Sequence, residues 1–162
     1  MLPDQPGTYA LLLHVAATGD NRWIEIGRMG RFPLTTGWYV YVGSARGSGG
    51  LAARVGHHLR PSQSCHWHID YLRAASRPVL VWYTTDPERE TAGRSEIRKL
   101  ECLWAQALTQ LPGATIPIPR FGASDCCCPA HLFRYPTPPA LAPFARITGS
   151  VIQCAHIRPA SQ

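Results

Sequence analysis

The sequence predicts a single domain of the mixed α/β or α+β class, built around a small sheet. Its length of 162 residues falls within the usual size range of one domain. Its hydrophobic fraction of 45% suffices for a packed core, which excludes a globally disordered chain. Strand patterns come first and are followed by helical patterns with later strands. This order is typical of a mixed fold rather than of a doubly wound one.

Three strand patterns occupy the N-terminal part of the chain. Residues 8–15 are β-branched, aromatic and apolar and follow a Pro-Gly pair, residues 23–26 alternate, and residues 38–42 end at a Gly-Ser pair. The Thr-Gly-Asp-Asn segment at 18–21 predicts a turn between the first two strands. The segment 27–37, which contains Gly, Pro and Thr, predicts a loop.

Three helices are predicted further along the chain. Residues 51–60 follow a flexible basic loop, carry an apolar residue at every fourth position and end before Pro61. Residues 66–73 predict a short second helix. Residues 93–108 predict the longest helix, which is closed by a Pro-Gly pair.

Two further strands and a tail complete the prediction. Residues 79–84 read as a short buried strand, and residues 132–135 predict a last short strand. Between the longest helix and that last strand, residues 115–125 form a predicted Pro- and Gly-containing loop. Prolines recur after residue 135, which predicts a tail that packs loosely or not at all. We therefore place the folded domain at residues 6–135 and a Pro-rich C-terminal tail at 136–162.

The charge of the chain favours an anionic partner such as nucleic acid. The net charge is +6, and all but one of the sixteen basic residues are Arg, which binds phosphate in a bidentate manner. A codon bias of the source genome explains the excess of Arg equally well. Neither a membrane span nor a signal peptide is predicted. We therefore expect a cytoplasmic protein without membrane association, whose six cysteines are thiols or metal ligands rather than disulfides.

One carboxylate lies within the apolar stripe of the longest predicted helix. Glu101 follows Ile97 by four residues and precedes Trp104 by three, so it projects among residues predicted to be buried. A buried carboxylate requires an Arg, a metal ion or a proton, because burying an unpaired charge is unfavourable. Two interpretations stay open here: a Glu at the edge of the stripe that pairs with an Arg, or a functional residue.

The helix at 51–60 and two of the strands offer further candidates. Arg54 and His58 are four residues apart and border the apolar stripe of their helix, whereas His57 points further toward solvent. By themselves these residues fit an ordinary basic helix surface, or the wall of a cleft. Tyr9 and Tyr41 each stand two residues from a glycine in a predicted strand, where a tyrosine normally serves packing.

Together, these residues resemble the GIY-YIG nuclease domain. A Gly-Thr-Tyr motif in the first strand is followed by a Tyr-Val-Gly motif in a later strand, a helix with an Arg and a His, and a helix with a Glu. The chain looks most like a small branch of that superfamily that carries the segments YVGSA (41–45), HWHIDYL (66–72) and FG-SDC-C-HL (121–132). The resemblance covers roughly residues 7–135.

The resemblance implies metal-dependent hydrolysis of phosphodiester bonds on a compact central antiparallel sheet of three or more strands flanked by helices. In the roles that it implies, Tyr9 is the general base or orients the attacking water, and Tyr41 lies near the scissile phosphate. Arg54 holds the phosphate, and His58 takes or relays a proton. Glu101 binds a single Mg²⁺ or Mn²⁺ ion, for which one carboxylate is enough because the ion keeps several waters.

Four more residues are expected to contact the substrate: Gly43, Ser44, Arg46 and His57. Gly43 permits a close approach of the backbone. Ser44 stands where some family members carry a Lys, and we expect Arg46 to compensate. The segment between the two tyrosines is longer than in most members, which we assign to an inserted strand and loop. Without a metal, we expect Arg54 to form an ion pair with Glu101.

A second metal site is suggested by the cysteines. Cys126, Cys128 and His131 have the spacing C-x-C-x₂-H, and with Cys102 they would supply four zinc ligands. The alternatives are buried free cysteines, or a thiol hydrolase that pairs Cys126 or Cys128 with His131.

The leading functional hypothesis is a metal-dependent endonuclease that acts on DNA, with a role in repair or in processing branched DNA. A non-catalytic nucleic-acid-binding module on the same fold is the first rival, and a zinc-stabilised interaction domain is the second. The sequence leaves open whether the substrate is DNA or RNA, and it leaves the oligomeric state open.

Overall fold

The computed structural model of the chain describes residues 1–17, 22–60, 65–85 and 94–157, without the side chains of 94–99. The turn predicted at 18–21 lies outside the described residues. The described elements, in chain order, are β1 (Gly7–Val15), β2 (Trp23–Ile26), β3 (Gly30–Pro33), β4 (Gly37–Ala45), α1 (Gly50–Leu59), α2 (His68–Arg73), β5 (Arg77–Thr84), α3 (Arg94–Thr109), β6 (Leu132–Tyr135), α4 (Leu141–Thr148) and β7 (Gln153–His156).

Within the described residues, five strands form one antiparallel sheet in the order β6-β4-β1-β5-β7. The central strand β1 is apolar along most of its length because both faces of the sheet are covered. Its alternate residues Tyr9, Leu11 and Leu13 pack into one core cluster, and Ala10 and Leu12 pack into another. The predicted mixed α+β class with an antiparallel sheet flanked by helices is confirmed.

Helices cover the two faces of the sheet. Leu51 and Val55 of α1 and Ile69 of α2 belong to the cluster on the face of Tyr9, while Trp104 and Leu108 of α3 belong to the cluster on the opposite face. No helix in the described ranges has both the length and the apolar character needed to cross a membrane.

The loop predicted over residues 27–37 is wrong in part. A single 3-10 turn at Gly27–Met29 leads into β3, which pairs with β2 in a separate two-stranded hairpin. The strand escapes sequence analysis because it is short and mostly exposed, so it lacks the alternation that a half-buried strand carries.

The prediction of a loosely packed tail at 136–162 is also wrong over its described part, residues 136–157. The side chain of Phe144 on α4 is fully buried, with its ring 5.2 Å from that of Trp82 and 5.1 Å from that of Trp104. Strand β7 pairs with β5 and adds an outer strand to the sheet. Pro136, Pro138 and Pro139 precede α4, and Pro143 lies in its first turn, where proline is tolerated, so these four do not prevent folding. The domain therefore continues beyond residue 135 through β7.

Candidate functional site

A cleft of about 570 Å³ gathers most of the residues proposed as catalytic or substrate-binding. Strands β1 and β4, the loop after β4, helix α1 and helix α3 supply them. The proposed residues on its wall are Tyr9, Tyr41, Gly43, Ser44, Arg46, Arg54 and Glu101. His58 lies behind the wall rather than on it, and His57 sits at the side, edge-on to the Trp67 ring at 4.6 Å. The geometry therefore brings two tyrosines, two arginines and the carboxylate of Glu101 to a single opening, which Asp125 also lines.

The two tyrosines face the same side of the sheet on neighbouring strands, with ring centroids 6.4 Å apart. Tyr9 is paired across the strands with Gly43. A Cβ atom at Gly43 would stand only 2.4 Å from the Tyr9 hydroxyl oxygen. Glycine is thus required at position 43 because the Tyr9 ring lies over it, a reason that the motif alone does not reveal.

Tyr9 is connected to a buried histidine. Its hydroxyl lies 2.8 Å from Nε2 of His58, and Nδ1 of His58 lies 3.7 Å from Oδ1 of Asp70, an ion-pair rather than a hydrogen-bond distance. Burial lowers the pKa of His58 to about 4, although the Asp70 carboxylate acts in the opposite direction. His58 is therefore neutral at pH 7, and it is able to accept a proton from the cleft side.

Burial also governs the ionisation of the tyrosines. It raises the pKa of Tyr9 and of Tyr41, and the positive charge of Arg54 opposes both shifts. For Tyr41 the negative charge of Glu101 adds to the rise. Both hydroxyls are therefore protonated at neutral pH, so a reaction that uses Tyr9 as a base needs an acceptor for its proton.

Asp70, to which the sequence assigned no role, anchors the arrangement of Tyr9 and His58. Its Oδ2 accepts hydrogen bonds from the backbone N–H groups of His66, at 2.9 Å, and Trp67, at 2.8 Å, just before α2 begins. These bonds fix the carboxylate and leave Oδ1 facing His58, and His57 at 3.9 Å. An Asp near a helix start is a recognisable signal, but the identity of its distant histidine partner is not.

The predicted ion pair between Arg54 and Glu101 is wrong. The guanidinium of Arg54 stacks instead over the ring of Trp67, 4.6 Å from the ring centroid. Trp67 is partly buried, packs against the core cluster on the face of Tyr9 and lines the cleft. The contact could not be predicted from the sequence, because Arg54 lies on α1 whereas Trp67 directly precedes α2.

Glu101 has two other partners. Its Oε1 lies 3.0 Å from Nδ1 of His131, and its Oε2 lies 3.5 Å from a terminal nitrogen of Arg46. Arg46 also donates two hydrogen bonds to the Ser44 hydroxyl, at 3.0 and 3.2 Å. The Glu101 side chain is 13% exposed, so the carboxylate reaches the cleft while its position is held from both sides. One carboxylate oxygen in a polar cleft fits a hard divalent cation that retains most of its waters.

The four residues proposed for zinc form a cluster able to hold a metal ion. The three thiol sulfurs and one ring nitrogen all lie within 4.8 Å of one another. The members are Cys102 on α3, Cys126 and Cys128 in the loop before β6, and His131 at the end of that loop. Burial raises the pKa of the thiols of Cys102 and Cys128, which therefore stay protonated at neutral pH unless a metal displaces the protons.

A second group of potential ligands has its ligand atoms within 4.8 Å of one another: His57, His58 and Asp70. The facing atoms are Nε2 of His57 and Nδ1 of His58, which lie 3.9 and 3.7 Å from Oδ1 of Asp70 and have no hydrogen-bond partner among the described residues. The other nitrogen of His58 contacts Tyr9, and the other oxygen of Asp70 accepts from two backbone N–H groups, so the same three residues also support the arrangement around Tyr9.

Comparison with known proteins matches the chain to a family model. A family model described as "Domain of unknown function DUF123" matches residues 8–151, which is most of the chain. No curated protein and no solved structure matches.

Proposed function

The chain belongs to the DUF123 family, and we propose that it is a metal-dependent endonuclease of the GIY-YIG type that hydrolyses phosphodiester bonds in DNA. The observation that carries this proposal is the meeting of Tyr9, Tyr41, Arg54 and Glu101 at one polar cleft. Phosphodiester hydrolysis requires a proton acceptor for the attacking water and positive charge for the phosphate, both positioned in advance. Tyrosine hydroxyls, arginines and a carboxylate in one opening can supply these.

The proton acceptor is the chain of Tyr9, His58 and Asp70. Tyr9 takes a proton from the attacking water as it passes its own proton to Nε2 of His58, 2.8 Å away. Neutral His58 offers the lone pair of Nε2 for this proton, and the nearby Asp70 carboxylate partly offsets the loss of basicity that burial causes. The imidazolium forms only transiently, because burial lowers the pKa of His58 to about 4. In this role the raised pKa of Tyr9 is no obstacle, because Tyr9 never has to hold a full negative charge.

The two arginines receive the phosphate. Arg54 lies over the Trp67 ring, which holds its guanidinium at the cleft wall without consuming its charge in an ion pair with Glu101. Arg46 is held by Ser44 and is close enough to Glu101 to move between the carboxylate and an incoming phosphate. Fixed guanidinium groups bind phosphate oxygens in a bidentate manner and stabilise the charge that develops on them.

Glu101 is the residue that would hold Mg²⁺ or Mn²⁺. When bound, such an ion stabilises charge on the phosphate and lowers the pKa of a coordinated water. Arg46 holds the carboxylate of Glu101 near the cleft in the absence of the ion. The net charge of +6 supports a nucleic-acid substrate, and processing of branched DNA in repair is the role we assign to it.

The test is incubation of the full chain with labelled branched, nicked and single-stranded DNA, with Mg²⁺ or Mn²⁺ and with EDTA. We expect cleavage that EDTA abolishes. Glu101→Gln should lose cleavage and retain DNA binding, because the arginines supply affinity. Glu25→Gln, the same change on an exposed residue of β2, is the matched control and should cut normally. If the unaltered protein cuts no substrate with either ion, the endonuclease proposal fails.

A non-catalytic nucleic-acid-binding module is the second candidate. The observation that favours it is the engagement of Glu101 by both Arg46 and His131, which leaves fewer carboxylate positions for a metal. This module would bind DNA without cutting it, and Glu101→Gln would leave its affinity unchanged.

We further propose that the metal of the cysteine cluster is zinc. Three thiols and one imidazole are the donor set of structural zinc sites, whereas Mg²⁺ prefers oxygen. Metal analysis of the full chain, purified without chelators, should find about one zinc per chain. Cys128→Ser should lose it, whereas Cys127→Ser, a change at the exposed cysteine between two ligands, should retain it. Equal zinc content in the two variants would refute the assignment.

A further inference from the structure

His131 lies between the cysteine cluster and the cleft, and its two ring nitrogens face opposite ways. Nε2 lies 3.4 Å from the sulfur of Cys126, within the cluster. Nδ1 lies 3.0 Å from Oε1 of Glu101, on the cleft side. The side chain of His131 is almost completely buried, so water cannot substitute for either neighbour. One imidazole therefore touches both the metal-binding cluster and the carboxylate proposed to hold the second metal.

The chemistry of a neutral imidazole couples these two contacts. A metal on Nε2 occupies the lone pair of that nitrogen, so the single ring proton must reside on Nδ1. Nδ1–H then faces the Glu101 oxygen as a donor. Without the metal, either nitrogen can carry the proton. When Nε2 carries it, Nδ1 of His131 and Oε1 of Glu101 face each other at 3.0 Å with lone pairs on both atoms, so no hydrogen bond joins them. In the structure this contact is close but not aligned as a hydrogen bond.

The loop that carries the ligands is tied to the same site. The guanidinium of Arg120 donates to the carbonyls of Cys126 and Cys128, which holds the ligand segment in one curve. The backbone of His131 accepts a hydrogen bond from the N–H of Val42, at 2.9 Å, beside Tyr41 on β4. A metal that closes this loop therefore also fixes where His131 stands relative to the cleft.

The fourth ligand strengthens the connection. Cys102 directly follows Glu101 on α3, so a metal bond to Cys102 fixes the helix turn that carries the carboxylate. Glu101 would thus be held through its own backbone neighbour and through the ring of His131. The metal-binding cluster and His131 thus connect α3, the ligand loop and β4 around the carboxylate of Glu101.

From this geometry we propose that zinc in the cysteine cluster orients Glu101 through His131, which makes His131 a positioning residue for the cleft. The part of this proposal that concerns Glu101 as a metal ligand rests on the proposed nuclease function. The coupling between zinc and Glu101 does not, because it is measurable as zinc affinity alone.

The first test therefore measures zinc affinity by competition with a chromophoric chelator, using the full chain and its variants. Removing an acceptor that holds a ligating histidine weakens metal binding by about 10- to 100-fold. We expect Glu101→Ala to weaken zinc binding by about 10-fold or more, and Glu101→Gln, which keeps an acceptor oxygen, to weaken it less. Arg46→Ala is the matched control, because it removes the other charged neighbour of Glu101 and leaves His131 untouched.

Equal zinc affinity in Glu101→Ala and the unaltered protein overturns the coupling. A chain that binds no zinc overturns it as well. A loss of affinity in Glu101→Ala that Arg46→Ala does not share supports it, and circular dichroism on each variant separates this effect from loss of folding.

The second test compares zinc-loaded and zinc-stripped protein in the cleavage assay as Mg²⁺ is varied. We expect the Mg²⁺ concentration for half-maximal cleavage to rise by about 10-fold on stripping, as loss of an orienting partner predicts, with a smaller change in the rate at saturating Mg²⁺. An unchanged Mg²⁺ dependence overturns the positioning role. If the loaded protein never cleaves, the nuclease proposal fails, while the zinc-affinity test still decides the coupling.

Discussion

Replacing Gly43 with alanine tests the most constrained contact in the cleft. The new Cβ atom would stand 2.4 Å from the Tyr9 hydroxyl oxygen and 2.6 Å from the ring carbon that bears it. Ordinary van der Waals contact begins near 3.4 Å. The tip of the Tyr9 ring must therefore retreat by about 1 Å, which overpacks a site that is fully buried.

The expected loss of stability follows from two effects. Overpacking a buried site typically costs about 1–3 kcal/mol. Displacing the Tyr9 hydroxyl also breaks its bond to His58 and leaves a buried ring nitrogen without a partner, which costs about 1–3 kcal/mol more. We expect Gly43→Ala to lower the free energy of unfolding by about 3 kcal/mol overall. For a domain of this size, that corresponds to a drop in Tm of about 6–12 °C.

Urea denaturation of four proteins measures the effect: the unaltered chain, Gly43→Ala, Tyr9→Leu and the double variant. Leu lacks the ring tip that the new methyl group would strike, so Gly43→Ala should be close to neutral in the Tyr9→Leu background. Gly47→Ala is the control, because a Cβ atom there meets nothing within 4 Å. A loss for Gly43→Ala that is equally large in both backgrounds would refute the steric argument.

Three further predictions follow from other parts of the molecule. The folded chain should lose stability as the pH falls from 6.5 to about 4, because His58 of the unfolded chain binds a proton in this range whereas burial lowers the pKa of folded His58 to about 4. This contribution to the free energy of unfolding amounts to about 3 kcal/mol and is fully present above pH 6.5. It should be absent from a pH series on His58→Gln. Phe144→Ala should lower the free energy of unfolding by about 3–5 kcal/mol in urea denaturation, whereas Val151→Ala at an exposed position should change it little, and equal effects would contradict the packing described for α4. DNA affinity should fall with salt, and Arg54→Ala should reduce the log–log slope by about one, whereas an unaltered slope would mean that Arg54 does not contact phosphate.

Patterns that lie within one stretch of chain could be predicted from the sequence. The apolar runs of β1 and β4 and the stripe of α3 around Glu101 each follow from the period of a strand or helix. The end predicted for β4 at its Gly-Ser pair is wrong, because the strand stays paired with β1 as far as Ala45. The period of the helix also places a carboxylate among buried neighbours. The sequence therefore determined the fold class, the central strands and the presence of an unusual Glu, because backbone geometry alone fixes which side chains share a face.

The short outer elements were decided by tertiary structure. Strand β7 is short and mostly exposed, and it exists because the unpaired edge of β5 offers it backbone hydrogen bonds. Helix α4 is anchored by one aromatic ring that stacks on Trp82. Strand β7 has no local signature, whereas α4 is amphipathic and is followed by Gly149, a pattern that the prolines around its start obscure.

The partners within the site were also decided only by the tertiary structure. Arg54 and Glu101 were predicted to share one site and to pair with each other. In the structure Arg54 contacts Trp67, and the carboxylate of Glu101 contacts Arg46 and His131. Glu101 and His131 are thirty residues apart, and they meet because the loop before β6 returns to the edge of β4. Helical and strand periods determine which face a side chain occupies, but its contacts depend on how separate elements pack in three dimensions.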